Sequence, residues 1–146
     1  RVNTVKPTPD ETVVGVDAGM TDLLRPAMYD AYHPIRNLGG GREADGDDAL
    51  PVAEREATPV TVAGPICETG DTLAKDRAIA APARGDRLAV GVAGAYGYEM
   101  ASQYNSRPRP AEVALDDGSV TTTRRRETLG DLLTVEREAG RPGGDR

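Results

Sequence analysis

The chain has 146 residues, contains no Phe or Trp, and carries a formal net charge of −6. Its acidic excess argues against nucleic acid and anionic membrane surfaces as partners, and no run is apolar and long enough to span a membrane. A single cysteine excludes an internal disulfide and favours a reducing compartment, so a cytoplasmic location is expected.

The composition favours strands and turns. Val, Ala, Leu and Ile must form the core because Tyr is the only aromatic residue type present, and 17 Gly and 11 Pro disfavour a helical bundle. The length is that of one domain. A weakly hydrophobic core under an acidic surface suits the salt-rich cytoplasm of a halophile, where dissolved ions screen repulsion between surface charges.

The first predicted elements are a strand and a short helical turn. A β-branched, apolar run predicts the strand over 11–19. Pro26 is tolerated in the first turn of a helix, so a helical turn is expected to start there. Arg25 and Tyr29 are four residues apart, and this turn would place their side chains on about the same face. The proline that follows His33 ends the turn, and this histidine is interpreted as a packing residue.

The rest of the chain is predicted as short strands and turns, which is typical of an antiparallel barrel or sandwich. The sequence Asp-Asp-Gly-Ser between two β-rich runs predicts a hairpin over 111–126. Thr128, followed three residues later by Asp131, predicts a capped helix over 128–138. The remaining expectations are a strand over 57–66, a strand with a turn over 71–80, a strand over 85–97, one or two helical turns over 98–105, an acidic Gly-rich loop over 37–56 and a disordered tail over 137–146.

Four segments carry motifs, namely RPAMY within 16–35, GPICETGD within 62–74, GAYG within 85–113 and RRRETLGDLL at 124–133. In this order they closely resemble the C-terminal part of diaminopimelate decarboxylase, a pyridoxal-phosphate decarboxylase family of the alanine-racemase-like fold. The resemblance implies that residues 1–136 are mainly β, an antiparallel Greek-key-like β-barrel domain with short helices. This would be the C-terminal domain of a two-domain enzyme, whose pyridoxal-phosphate-binding α/β-barrel is absent from the chain.

The resemblance also implies a reaction and its participants. The family converts meso-2,6-diaminopimelate to L-lysine and carbon dioxide in lysine biosynthesis, with pyridoxal 5′-phosphate as cofactor. Its active sites lie at the interface of a homodimer. Neither Lys6 nor Lys75 lies in a motif that matches the cofactor lysine, so the chain alone is expected to be inactive. No metal site is expected.

The family's site residues correspond to five positions here. Carried over by resemblance, Arg25 and Tyr29 bind the substrate, Cys67 donates a proton in the partner chain's site, Glu68 binds the far end of the substrate, and Tyr96 contacts cofactor and substrate. These roles suit the chemistry, because a thiol is a good acid near neutral pH and a guanidinium pairs bidentately with a carboxylate. Without the motifs, Cys67 would be interpreted as a small buried residue, Arg25 and Glu68 as surface residues, and Tyr96 as a core aromatic.

Two alternative functions stay open. One is a related decarboxylase of another basic amino acid, although ornithine decarboxylases typically have aspartate where this chain has Glu68. The other is a non-catalytic orphan β-barrel that binds a partner, which the complete set of motif residues disfavours. Asp71 is expected to stabilise the turn after Glu68, and the arginines 124–126 to form a solvated strand end or to contact the missing domain.

Overall fold

The computed structural model describes residues 1–40 and 51–139. The described residues are mainly β, with short helices, as the composition predicted. No helix among them combines the length and apolar character needed to cross a membrane. In chain order the elements are β1 (Val2–Pro7), β2 (Thr12–Val16), α1 (Arg25–Tyr29), β3 (Ile35–Gly40), a 3₁₀ turn (Val52–Glu54), β4 (Ala57–Ala63), β5 (Thr72–Ala80), β6 (Asp86–Val90), a 3₁₀ turn (Tyr104–Ser106), β7 (Glu112–Asp116), β8 (Ser119–Arg124), α2 (Leu129–Leu132) and α3 (Thr134–Ala139).

The chain divides into two compact units, Arg1–Ala101 and Ser102–Arg146. In the first unit, four strands form a sheet in the order β1-β2-β4-β5, and β3 pairs separately with β6. The expectation of a fully antiparallel arrangement is wrong at one place, because β2 and β4 are parallel. The connection between them is 40 residues long, which is enough for a crossover.

The predicted closed barrel is not observed. Among the described strands, no sheet closes on itself, since β1 and β5 are the two outer strands of the larger sheet. The core of the first unit lies against this sheet. It is built from alternate positions of the strands, among which Val14, Val60 and Val62 are at most 1% exposed. Leu73 and Ile79 of β5 extend the same cluster.

The structure differs from the sequence prediction in several segments, among them 71–80, 37–56 and 137–146. The strand-plus-turn expected over 71–80 is one nine-residue strand, β5, in which Asp76 has a φ of +45° and the register with β4 shifts. The residues that predicted a turn therefore form an irregularity within a continuous strand. The predicted loop 37–56 begins later than expected, because β3 continues to Gly40, and residues 41–50 lie outside the described residues. Of the predicted disordered tail, residues 137–139 belong to α3, and the rest lies outside the described residues.

A buried polar network joins β3 and β6 to the segment before β4. One oxygen of the fully buried Asp86 carboxylate accepts from Asn37 Nδ2 at 3.0 Å, from Arg55 Nη1 at 2.6 Å and from the Ala83 N–H at 2.8 Å. Burial alone would raise the pKa of Asp86, but these donors together hold the pKa below its ordinary value. The ionised Asp86 carboxylate thus balances the positive charge of the nearly buried Arg55 side chain.

The second unit confirms two local predictions. Strands β7 and β8 form the expected antiparallel hairpin, whose Asp117 and Gly118 have φ values of +43° and +79°. Positive φ at both positions gives the strands the twist that a two-residue hairpin needs. Thr128 caps α2 in a capping box with Asp131, since each side chain accepts from the other's backbone N–H. Arg125 makes a bidentate ion pair with the same Asp131, at 2.7 and 2.8 Å.

The second unit also contains a carboxylate with a strongly lowered pKa. Glu127 accepts from Nε and Nη2 of Arg109 at 2.8 and 2.5 Å, and from Gln103 and the Arg109 N–H at 2.8 and 2.9 Å. The Arg109 side chain is the main reason that the pKa of Glu127 falls from 4.5 to about 2. Because the unfolded chain binds this proton near pH 4.5, ionised Glu127 stabilises the folded state at neutral pH.

We expect the contribution of Glu127 to be full above pH 4.5 and to be lost as the pH falls towards 2. An acid titration that follows the amide NMR signals of the β7–β8 hairpin should detect the loss. Glu127→Gln should remove this part of the pH dependence and leave the part due to Asp131, whose pKa is lowered mainly by its hydrogen bonds from Arg125. Identical titrations for wild type and variant would contradict the assignment.

Candidate functional site

Arg25 lies between two tyrosine rings. It is the first residue of α1, which has Pro26 in its first turn and ends at Asp30 with a φ of +51°. The guanidinium carbon is 5.6 Å from the ring centroid of Tyr29 and 5.8 Å from that of Tyr96. The prediction that Arg25 and Tyr29 share a face is confirmed, and Tyr96 joins them from a distant part of the chain. The distances permit cation–π attraction between Arg25 and each ring.

Tyr96 is held in an uncommon backbone conformation. Its φ is +63°, and its carbonyl accepts the Met100 N–H at 3.1 Å. The next residue, Gly97, is buried and tightly packed, since a Cβ there would lie 2.2 Å from the carbonyl oxygen of Ala93. The Tyr96 side chain itself is 63% exposed, so its interpretation as a core aromatic is wrong. Positive φ in an exposed tyrosine is a strained feature of the kind that clusters at functional sites.

Cys67 and Glu68 lie on a tight turn between β4 and β5. Asp71 N–H donates to the Glu68 carbonyl at 3.0 Å, and Gly64 N–H donates to the Asp71 carbonyl at 2.9 Å, which closes the turn. Both Cys67 and Glu68 are exposed, so Cys67 is not a small buried residue. The carboxylate of Glu68 has one long contact, 3.5 Å from the Gly70 nitrogen. It is therefore available to a ligand.

The five predicted site residues fall into two groups. Arg25, Tyr29 and Tyr96 form one group, and Cys67 with Glu68 forms the other. In the described part of the chain, no hydrogen bond, ion pair or ring contact joins the two groups. The described contacts therefore leave the two groups unconnected, although Tyr29 and the turn residues Thr69 and Gly70 line one cleft.

A cleft of about 860 Å³ lies between α1 and the first half of β5, and sequence reasoning did not predict it. Its walls include Tyr29, Tyr32, Lys75 and Arg77. The guanidinium of Arg77 lies 4.0 Å from the ring centroid of Tyr32 and donates to the His33 carbonyl at 2.6 Å. The alternation of Lys75 and Arg77 along a strand was the available signal, but it indicates a basic face only once the partner helix is known.

His33 is buried, at 4% exposure, as expected of a packing residue. Its Nδ1 lies 3.1 Å from the Gly91 carbonyl oxygen, and its Nε2 has no partner in the described structure. Asp71 also performs as predicted, since its carboxylate accepts the Ile66 N–H at 2.6 Å inside the turn.

The residues present fit a partial role in binding pyridoxal phosphate. A half-buried guanidinium between two exposed phenol rings offers positive charge, hydroxyl groups and aromatic surface to a planar anion. The exposed Lys6 on β1 and Lys75 in the cleft belong to neither group of site residues. In the described residues no cluster of His, Cys, Asp and Glu could hold a metal ion.

Comparison with known proteins identifies the class of protein to which the chain belongs. Residues 1–94 match the family described as "Pyridoxal-dependent decarboxylase, C-terminal sheet domain". The chain therefore belongs to the pyridoxal-dependent decarboxylases, through the C-terminal sheet domain of that family. The family resemblance drawn from the motifs is confirmed.

The similar proteins narrow the class further. The chain is 47% identical over 133 residues to the diaminopimelate decarboxylase of Methanothermobacter thermautotrophicus. This match covers 91% of the chain and 28% of that protein. The crystal structure of diaminopimelate decarboxylase from Helicobacter pylori complexed with L-lysine matches with a TM-score of 0.77 and 40% identity, over 94% of the chain and 31% of that structure. A crystal structure from Aquifex aeolicus matches with a TM-score of 0.81 and 42% identity, over 92% and 30%. The chain thus spans less than a third of the length of these relatives.

Proposed function

We propose that the chain is the C-terminal part of a diaminopimelate decarboxylase, which converts meso-2,6-diaminopimelate to L-lysine and carbon dioxide. The carrying observation is that Arg25 lies between Tyr29 and Tyr96 while Cys67 and Glu68 are exposed together on a separate turn. All five residues of the family's pattern are present and accessible. In addition, relatives 42–48% identical are named diaminopimelate decarboxylase.

The substrate has an amino-acid group at each end, so one end must be held while the other reacts. The planar guanidinium of Arg25 can pair bidentately with the far carboxylate, and Tyr29 can donate a hydroxyl beside it. The carboxylate of Glu68, free of strong partners, can accept from the far ammonium. A site that leaves such groups unpaired discriminates strongly against substrates that lack them. This favours diaminopimelate over ornithine.

Pyridoxal phosphate, when bound, supplies the electron withdrawal that lets carbon dioxide leave. The carbon from which it has left must then take up a proton. Cys67 is the proposed donor, because its exposed thiol lies on a turn whose backbone is hydrogen-bonded. Tyr96 contacts the cofactor and substrate through its exposed ring and hydroxyl. Catalysis needs the cofactor lysine of the other domain, so the chain alone is expected to release no carbon dioxide.

We propose that the complete enzyme is a homodimer with shared active sites, as the family resemblance implies. We propose that Arg25, Tyr29 and Tyr96 serve one site, and that Cys67 and Glu68 of the same chain serve the other. A closed Greek-key barrel over 1–136 and a cytoplasmic location remain proposals for the complete enzyme.

Arg25→Lys in the complete enzyme is the direct test of substrate recognition. We expect KM for meso-2,6-diaminopimelate to rise by about 10- to 100-fold, because lysine keeps the charge but loses the bidentate geometry. Carbon dioxide release is measured with diaminopimelate, lysine and ornithine as substrates. Arg36→Lys, on the exposed face of β3, is the control and should leave KM unchanged.

Two outcomes would overturn the proposal. Preferential release of carbon dioxide from ornithine or lysine by the wild type would identify a related decarboxylase of another basic amino acid. No release from any of the three substrates, with cofactor present and the protein folded, would favour the non-catalytic binding domain.

A further inference from the structure

Asp71 ends the turn that presents Cys67, and its carboxylate is only 4% exposed. One carboxylate oxygen accepts the Ile66 N–H at 2.6 Å, inside the turn. The other oxygen accepts the Met20 N–H at 2.6 Å, 51 residues away in the chain. A single buried carboxylate thus joins the Cys67 turn to the segment that precedes α1, and both donors would be left unpaired without it.

Two glycines are packed against this carboxylate. A Cβ at Gly64 would lie 2.2 Å from an Asp71 carboxylate oxygen, and a Cβ at Gly19 would lie 2.6 Å from one. Gly70, in the same turn, has space, since its Cβ would meet only the Glu68 side chain at 4.0 Å. Gly64 and Gly19, which face Asp71, therefore leave no room for a side chain, whereas Gly70 does.

The segment that Asp71 holds leads directly into α1. The Gly19 N–H donates to the Asp22 side chain at 2.9 Å, and the Leu23 N–H donates to the Gly19 carbonyl at 3.0 Å. The turn formed by these bonds ends two residues before Arg25. Any shift of Met20 is therefore transmitted along a short, hydrogen-bonded stretch to α1.

We propose that Asp71 is a positioning residue that fixes the Cys67–Glu68 turn and couples it to the helix that carries Arg25. The catalytic part of this inference rests on the proposed function, and the structural part does not. Because Cys67 and Arg25 are assigned to different active sites of a homodimer, Asp71 connects the two sites through one protomer. Asparagine cannot replace it, since its side chain has one acceptor oxygen for two N–H groups.

The structural part is tested by hydrogen exchange of individual amides. Asp71→Ala, which removes both acceptor oxygens, should speed the exchange of both Ile66 and Met20 amides by about tenfold or more, and leave the Val14 amide of β2 unchanged. Gly70→Ala is the matched control and should change neither. Faster exchange at Ile66 alone would reduce Asp71 to a local turn residue and overturn the coupling.

A double-mutant cycle tests whether Gly64 acts through the same carboxylate. Gly64→Ala should speed exchange at Met20 because its Cβ displaces Asp71. In an Asp71→Ala background there is no carboxylate for the Gly64→Ala methyl group to displace. The effect of the double variant on exchange should therefore be smaller than the sum of the two single effects. Additive effects would contradict the proposal.

Kinetics of the complete enzyme separate this inference from the proposed function. Asp71→Asn should both lower kcat and raise KM for meso-2,6-diaminopimelate, because Cys67 and the substrate-binding residues are displaced together. Gly70→Ala should change neither constant. Unchanged kinetics in an active Asp71→Asn enzyme would overturn the positioning role. A wild type that is inactive on diaminopimelate, with the exchange result as expected, would instead overturn the proposed function alone.

Discussion

Replacing Cys67 by Ala in the complete enzyme is expected to lower kcat by about 10²- to 10⁴-fold, with little change in KM. The reason is that the proposed proton donor is lost while Arg25 and Tyr29, which lie elsewhere, still bind the substrate. Cys67→Ser should stay close to the alanine variant, because a hydroxyl is a far weaker acid than a thiol. Carbon dioxide release from meso-2,6-diaminopimelate under saturating substrate measures the effect.

Thr69→Ala is the matched control for the Cys67 variants, since Thr69 is exposed on the same turn, and it should leave kcat unchanged. Mixing Cys67→Ala and Arg25→Ala chains tests which copy supplies the thiol. If the two residues serve opposite sites, random mixed dimers should recover about a quarter of wild-type activity, because half of the dimers have one intact site. A full kcat in Cys67→Ala, or no recovery on mixing, would contradict the assignment.

Asp86→Ala is expected to lower the free energy of unfolding by about 3–5 kcal/mol. The Asp86 side chain is fully buried and that of Arg55 is 9% exposed, so the change leaves a guanidinium without its 2.6 Å carboxylate partner. It also removes one of the two acceptors of the Asn37 amide and the acceptor of the Ala83 N–H. Chemical denaturation of the chain, followed by far-ultraviolet circular dichroism, measures the loss.

Asp10→Ala provides the comparison for Asp86, because this aspartate is exposed in the connection between β1 and β2. Its effect should stay within about 0.5 kcal/mol, as for most exposed positions. A loss below about 1 kcal/mol for Asp86→Ala would mean that Arg55 finds other partners or reaches water, and would contradict the network as the main support of β6.

His33 shows which features of a residue its sequence neighbours predict and which they do not. The proline after this histidine predicted the end of the helical turn, but α1 ends earlier, at Tyr29, and Asp30 follows it with a φ of +51°. The burial of His33 could be expected of a packing residue, but its partner could not, because the Gly91 carbonyl oxygen lies 58 residues away. The contact exists because Ile35 of β3 pairs with Val90 of β6, and the sequence of either strand alone does not specify that pairing.

The sequence by itself determined the local elements. The hairpin turn at Asp117 and Gly118, the capping box of Thr128 and Asp131 and the shared face of Arg25 and Tyr29 depend on residues within four positions of each other. Backbone dihedral angles and short-range hydrogen bonds decide such features, so residue type and spacing suffice to predict them. The motifs also indicated the family.

Only the tertiary structure decided which distant residues meet. The parallel pairing of β2 with β4, the approach of Tyr96 to Arg25 and the bond from Asp71 to Met20 join segments far apart in the chain. Each depends on how the strands pair and on which face of a sheet is buried, and many pairings are compatible with the same alternation of apolar residues. For the same reason, the cleft between α1 and β5 emerged only from the folded chain.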